Sequence, residues 1–450
     1  MIIDMLKQHN EKEKASFHMP GHKKGAGFCG APFNSEIFSL DTTELPGTDA
    51  LIAPEGAILK AEEHAATLYG AKHSFFLVNG STGGILSMIY SAFQPGDKVI
   101  IDRNCHQSVL NGIILSGLSP IYLAPEATTL ADVPGTVSAK NIEALLTEQP
   151  DIRGAVITSP NYYGATANIK EIAKLLHKRD ALLLVDEAHG AHFSFSKALP
   201  DSAVSQGADM SVVSLHKTLP APNQTALLNI GQSISVDRAR SAVRMFQTSS
   251  PSYVLLAAME YALHFAEKNG EKETERILPL LQALNCPTLD DPFKLLPSWA
   301  EKGISGYRAE EILREKFGIY IELCNTHRIL CMTSWGNTED DTRRLGEAMT
   351  YLDALPQQGD PITYQAKNEI SVSVPVITPA EATRLPHKLV SLQKAEGKIC
   401  AQAVSAFPPC IPVLLPGETV TREKLEYLYE LKKNQATITG LTEDMITIIP

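Results

Sequence analysis

The sequence predicts an α/β protein: a large domain built on a mostly parallel sheet, followed by a smaller α+β domain. Three observations carry that prediction. Between about residues 56 and 230, short apolar runs alternate with helical patterns, the signature of parallel strands covered on both faces. Residues 235–285 keep a helical pattern throughout, as a bridge between domains would. From about 290 the elements become shorter and mixed, with proline-rich joints such as FPPCIPVLLPGE at 407–418. The expected organisation is an N-terminal segment (1–55) contributing to the active site, a large domain (56–285) and a small C-terminal domain (286–450).

The elements follow in order. EGAILKAEEHAATLYG (55–70) spaces its apolar residues along one helix face, and SFFLV (74–78) reads as a strand. VNGSTGG (78–84) then turns through Gly80 to Gly84, with a helix expected from about Ile85. KVIID (98–102), PIYLA (120–124) and GAVIT (154–158) are further strands, and NIKEIAKLLHKRD (168–180) is an amphipathic helix. ALLLVD (181–186) and DMSVVS (209–214) complete the set, and Pro220 and Pro222 stop regular structure soon after. In such sheets ligands bind beyond the carboxyl ends of the strands, which is where the polar clusters fall.

The bulk properties narrow the function classes. A balance of 40 basic against 51 acidic residues, net −11, speaks against a nucleic-acid binder, which would present a basic face. No stretch approaches 18 uninterrupted apolar residues, so no membrane span is expected, and MIIDMLKQHNEKEKASF lacks the apolar region of a signal peptide. Seven cysteines, an odd count without a CxxC pair, read as reduced thiols in a cytoplasmic protein.

Four clusters carry chemistry. Gly80, Ser81 and Thr82 end a strand where a helix begins, so backbone N–H groups and hydroxyls converge as a phosphate would require. Alone, the same turn is equally an ordinary capped strand–helix junction, and its spacing is not that of a nucleotide P-loop. Asp186 closes the most apolar strand and is followed by Glu187, Ala188 and His189. A zinc site on His189 and His192 is disfavoured by the intervening Gly190 and the lack of a third ligand. Lys217, in SLHKT after the next strand, shares the rim with Asp186. A lysine in a partly desolvated pocket loses proton affinity and becomes an amine nucleophile.

One cofactor fits a phosphate cradle, a carboxylate and a buried lysine together: pyridoxal 5′-phosphate. Lys217 would hold it, Asp186 would keep the proton on its ring nitrogen, and Ser81, Thr82, Ser214 and His216 would hold its phosphate. His106, in DRNCHQS (102–108), would cover one face of the ring and offer a proton near the reacting carbon, with Ala188 against the other face. Gly80 and His189 complete the cofactor-contacting set. No metal is expected. GAGFCG (25–30) matches a dinucleotide pattern but follows no strand, and Pro20 and Gly21 in HMPGH (18–22) prevent a helix from presenting both histidines to a metal.

With these residues in hand, the chain resembles the Orn/Lys/Arg decarboxylase family, in the short form found in Gram-positive bacteria. HMPGHKKG (18–25), ELPGTD (44–49), NGSTGG (79–84), DRNCHQS (102–108), DEAHGAHF (186–193), SLHKT (214–218), QTSSPSY (247–253) and FPPCIPVLLPGE (407–418) carry the resemblance, in family order over almost the whole length. It implies the aspartate-aminotransferase-like architecture (PLP-dependent fold type I) and decarboxylation of arginine, lysine or ornithine, feeding polyamine synthesis. It also implies a homodimer with shared active sites, in which Ser249 or Ser250 reaches the neighbouring subunit's phosphate. Elimination or transamination on the same scaffold, or cofactor binding without decarboxylation, are the competing expectations. Glu44 and Asp49 are the candidates to face a basic substrate side chain. Only 17 residues precede HMPGHK, so the N-terminal wing of the long members is not expected. Phe407 and Cys410 replace the family's tyrosine and glycine, and Gln402 stands where glutamate is expected, which bears on specificity.

Overall fold

A computed structural model describes residues 15–17, 49–363, 374–407, 411–433 and 437–450. Seven strands form its central sheet: β1 (His73–Leu77), β2 (Lys98–Asp102), β3 (Ser119–Leu123), β4 (Ile152–Thr158), β5 (Leu182–Asp186), β6 (Met210–Ser214) and β7 (Ala226–Ile230). Their spatial order is β1-β7-β6-β5-β4-β2-β3. All pairings are parallel except those of β7, which runs antiparallel between β1 and β6. The period of two along a strand sorts the side chains to opposite faces. Val99 and Ile101 join an apolar cluster with Ile85, Met88 and Val212, whereas Ile100 joins another with Ala155, Val185 and Ile172. Half-buried β3 lies at the sheet's edge, the position that tolerates its Pro120.

Helices α1 (Ala57–Tyr69), α2 (Gly80–Ala92), α3 (Gln107–Ser116), α4 (Ala139–Glu148) and α5 (Ile169–His177) cover the sheet, followed by α6 (Val236–Phe246) and α7 (Tyr253–Gln282). Two expectations are corrected. The region 235–285 is not helical throughout: QTSSPS at 247–252 separates α6 from α7, because Pro251 biases the residue before it away from helix. And α2 begins at Gly80, five residues earlier than expected, so Ser81 and Thr82 belong to its first turn. Gly84 is a packing residue inside that helix. A Cβ there would lie 2.5 Å from Leu77 Cδ1 and 2.9 Å from Val212 Cγ1.

Beyond α7, strands β8 (Lys294–Leu295), β9 (Leu323–Cys324) and β10 (Ile329–Met332) form a small sheet in the order β9-β10-β8, followed by α8 (Glu339–Ala354). Leu295, Trp299, Cys331 and Leu345 share one apolar cluster with Tyr69, Met259 and Leu281, so this segment packs onto α1 and α7. Residues 388–449 fold around an apolar cluster of their own that includes Val404, Leu414, Leu428 and Ile446. Among the described residues, no helix is long and apolar enough to cross a membrane.

Candidate functional site

A cavity of about 560 Å³ opens at the carboxyl ends of the central strands. Gly80, Ser81 and Thr82 line one wall as the first turn of α2. Gly80 has a φ of +70°, open to glycine without strain. Asn79, the residue before the helix, makes no capping hydrogen bond; its Nδ2 donates instead to Phe246 O at 3.0 Å. The Gly80 N–H donates to Gln224 O at 2.8 Å, and the helix start turns its positive dipole end, with the Ser81 and Thr82 N–H groups, toward the cavity, which suits an anion. A larger cleft, about 740 Å³, lies between α7 and the start of α8 and holds none of the expected site residues.

Asp186 and Ala188 lie on the floor. The parallel register pairs Thr158 with Asp186 and Asp186 with Val212, so the ends of β4 and β5 are level and β6 runs two residues further. Asp186 is buried, and its Oδ1 accepts the Ala188 N–H at 3.1 Å. Lys217 follows β6 in a single helical turn, Leu215–Thr218, and lines the same cavity. Burial is the main reason its ammonium is less stable than an ordinary lysine's, with Asp186 and Glu322 working against that shift.

His106 lines the cavity as the N-cap of α3. Its Nδ1 accepts the Ser108 N–H at 3.2 Å, with Ser108 Oγ 2.8 Å away, which leaves the proton of the neutral ring on Nε2. Burial lowers its pKa, and the Lys217 charge adds to that while Asp186 opposes it. His216 is also on the wall, its Nδ1 donating to Thr225 O at 3.0 Å. His189 stands between lysines, with Nε2 3.0 Å from Lys217 Nζ and Nδ1 3.0 Å from Lys294 Nζ.

Other expected residues lie elsewhere. Ser214 is fully buried behind the wall, its Oγ without a hydrogen-bond partner. Ser249 is exposed in the 247–252 break and does not line the cavity of its own chain. Asp49 serves the backbone instead of the cavity. Its Oδ1 accepts the N–H groups of Ala50 and Glu55, both at 3.0 Å, and Oδ2 those of Gly56 (2.9 Å) and Ile58 (2.8 Å). Burial works against its ionisation, yet these four donors hold its carboxyl below the ordinary range. It secures the start of α1 and is not on the cavity wall. Gln402 is also away from the wall, donating from Nε2 to Gly440 O at 2.7 Å. A glutamate there would set an anion against that carbonyl. Glu44, Cys410 and the Phe407 side chain lie outside the described residues.

The cavity also presents residues that sequence reasoning missed. Glu322 is, with Asp186, one of two carboxylates on the wall among the described residues, and Tyr162 donates its hydroxyl to Glu322 Oε1. Thr158 ends GAVIT, and Asn161 and Tyr162 follow it beyond the strand's carboxyl end, the signal that located the other clusters. Glu322 sits in a bend just before β9 and Lys294 opens the two-residue β8, with no periodicity to mark either.

Pyridoxal 5′-phosphate fits these residues. The uncapped start of α2 faces the cavity, the Thr158 and Ser214 hydroxyls are buried without partners, and a carboxylate and a destabilised lysine share the floor. Comparison with known proteins adds kinship. A family model described as "Orn/Lys/Arg decarboxylase, major domain" matches residues 2–285, and its C-terminal domain counterpart matches 363–447. The arginine decarboxylase of Bacillus subtilis (strain 168) is 34% identical over 94% of this chain and 92% of its own. The solved lysine decarboxylase A from Pseudomonas aeruginosa has a TM-score of 0.79 at 20% identity, over 99% of this chain and 80% of that one. A structure of SPT with PLP aligns at a TM-score of 0.55 and 14% identity, over 73% of this chain and 87% of that one.

Proposed function

The chain belongs to the Orn/Lys/Arg decarboxylase family, and on that premise we propose that it removes the α-carboxylate of a basic amino acid, arginine first among them, using pyridoxal 5′-phosphate. The observation that carries this reading is one cavity lined by Lys217, Asp186, His106, the start of α2 and Glu322. When bound, the cofactor supplies an electron sink for the pair released with carbon dioxide. Lys217 would hold its aldehyde carbon, the Asp186 carboxylate its ring-nitrogen proton, and the N–H groups of Ser81 and Thr82 its phosphate. His216 lies on the same cavity wall, with the Ser214 hydroxyl buried behind it.

The protein's own groups then have distinct roles. His106 would cover the ring from the α3 side with its proton on Nε2, and Ala188 would pack against the other face. Nε2 of His106 and Nζ of Lys217 are the two positions from which a proton can reach the α-carbon. Glu322, held by the Tyr162 hydroxyl, presents its carboxylate to the cationic end of the substrate. That role replaces the one expected of Asp49, whose oxygens are taken by backbone N–H groups. Support for arginine comes from the similarity to the Bacillus subtilis arginine decarboxylase, against 24% identity to the Pseudomonas aeruginosa lysine decarboxylase LdcA. We extend the reading to a cytoplasmic homodimer whose exposed Ser249 reaches the partner's phosphate site, the amine product feeding polyamine synthesis.

The test is carbon dioxide release, with the amine identified by mass, from protein loaded with pyridoxal 5′-phosphate and given arginine, lysine and ornithine separately. Arginine should give the highest kcat/KM, and Lys217→Ala should lower turnover by about a thousandfold or more. Glu322→Gln should raise KM for the basic substrate by about tenfold, the worth of one charge-assisted contact. Cofactor binding without release from any of the three would overturn the decarboxylase reading.

A further inference from the structure

His189 has a lysine nitrogen on each side. Nε2 is 3.0 Å from Lys217 Nζ, and Nδ1 is 3.0 Å from Lys294 Nζ. His189 is 5% exposed and Lys294 0%, whereas Lys217 is half-buried at the cavity wall, where burial weakens its ammonium. The Tyr162 ring meets the imidazole edge-on at 4.8 Å. The Lys294 stem is pinned under the 164 turn, where a Cβ on Gly164 would come within 3.0 Å of its Cγ.

Counting donors shows what this line can hold. An ammonium has only donors, and a neutral imidazole has one donor and one acceptor. With both lysines charged, one of the two contacts would set N–H against N–H; a charged imidazole would make both contacts repulsive. Both 3.0 Å contacts are hydrogen bonds only if at least one lysine is a free amine, and when the other is an ammonium the histidine tautomer is set by which is which. The charged groups around the line divide the same way. Asp186, His106 and His216 stand on the Lys217 side, Asp291 on the Lys294 side, and Glu322 acts on both lysines.

We propose that Lys294 acts through His189 as a positioning residue that sets the protonation of the Lys217 nitrogen. A proton on Lys294 turns His189 to its Nε2–H form, which points a donor at Lys217 and keeps that amine free. A proton gained by Lys217 turns the imidazole over and is matched by one lost from Lys294. The electrostatics agree with a shared proton. Burial, reinforced by Lys217, brings Lys294 down to about 8 despite Asp291 and Glu322, and burial followed by the two lysines holds His189 well below its ordinary range.

The proposal rests on Lys217 being the cofactor lysine, and the experiment separates the two. Cofactor-free protein is mixed with pyridoxal 5′-phosphate, and the rate of capture is followed by visible absorbance from about pH 6 to about pH 10. Lys217→Ala should abolish capture; if it does not, the functional reading fails first. Lys294→Met, which keeps the volume and removes a buried charge, leaves Lys217 free to hold its own proton. Its capture profile should move about one pH unit to the alkaline side, with about tenfold slower capture on the acid limb. Lys294→Gln, which keeps a polar partner for Nδ1 without the charge, should move it in the same direction, so the test survives if one variant does not fold. Wild-type profiles in folded Met and Gln variants, with capture still dependent on Lys217, would overturn the proposal and leave the function standing.

Discussion

Glu187 shows how little of a buried residue's behaviour its neighbours in sequence reveal. It follows Asp186 directly, yet its side chain turns away from the cavity, and its Oε1 accepts the Ala203 N–H at 2.8 Å. Burial pushes its carboxyl up to about 8, against the pull of that hydrogen bond. A folded-state pKa above the unfolded value of about 4.3 means that the neutral form contributes stability. That contribution is full below the unfolded value and is lost as pH rises through about 8. Denaturant midpoints should therefore fall between about pH 5 and about pH 8 in the wild type and fall less in Glu187→Gln, which stays neutral and keeps the acceptor. Parallel slopes in the two proteins would contradict the assignment. Residue types at strand ends were legible: Lys217, Asp186, His106 and the Gly80–Thr82 turn all line one cavity, as their shared place at the carboxyl rim implies. Asp49 was not. A carboxylate in a polar loop reads as a ligand until four backbone donors are seen to fill it.

At the scale of elements, near-continuous apolar runs made the parallel strands legible, because both faces of each are covered. Strand β7 was missed for a local reason. ALLNI follows two prolines and contains Asn229, a fully buried amide whose Oδ1 accepts the Ser74 hydroxyl at 2.6 Å across the sheet. A polar residue satisfied by a distant strand cannot be told from a loop residue in one sequence. The start of α2 was misplaced because glycines were read as turn formers, whereas Gly84 is there for close approach to β1 and β6. Gly84→Ala should therefore destabilise the protein by about 1–3 kcal/mol, since overpacking outweighs alanine's better helix propensity. The same substitution moves the wall bearing Ser81 and Thr82, so affinity for pyridoxal 5′-phosphate should fall with it. A midpoint at or above the wild type's would show that Leu77 and Val212 make way.

Beside the site, one side chain ties the C-terminal unit to the large sheet, alongside the Ser405 hydroxyl's hydrogen bond to Gln107 Oε1 at 3.3 Å. Arg103, three residues before the His106 N-cap, donates to Pro412 O at 2.6 Å and Val413 O at 3.0 Å. Its guanidinium is 3.6 Å from Glu418, which also takes the Lys424 ammonium at 2.8 Å. All three charged groups are buried, and Leu415 extends the large-sheet apolar cluster into the same seam. Nothing in the pattern of DRNCHQS or FPPCIPVLLPGE shows that they meet, because Arg103 and Pro412 are 309 positions apart with no periodicity linking them. A buried carbonyl left without its donor costs about 1–3 kcal/mol. Arg103→Met should cost that much in unfolding free energy. Two carbonyls would lose their donor and Glu418 would face Lys424 alone. The loss should be local in hydrogen exchange: amides of 399–449 should exchange faster, while those of β4 to β6 keep their protection. Turnover should fall as well, because the same residue fixes the loop that carries His106. Uniform loss of protection across both units would mean that they unfold as one and that Arg103 is no hinge between them.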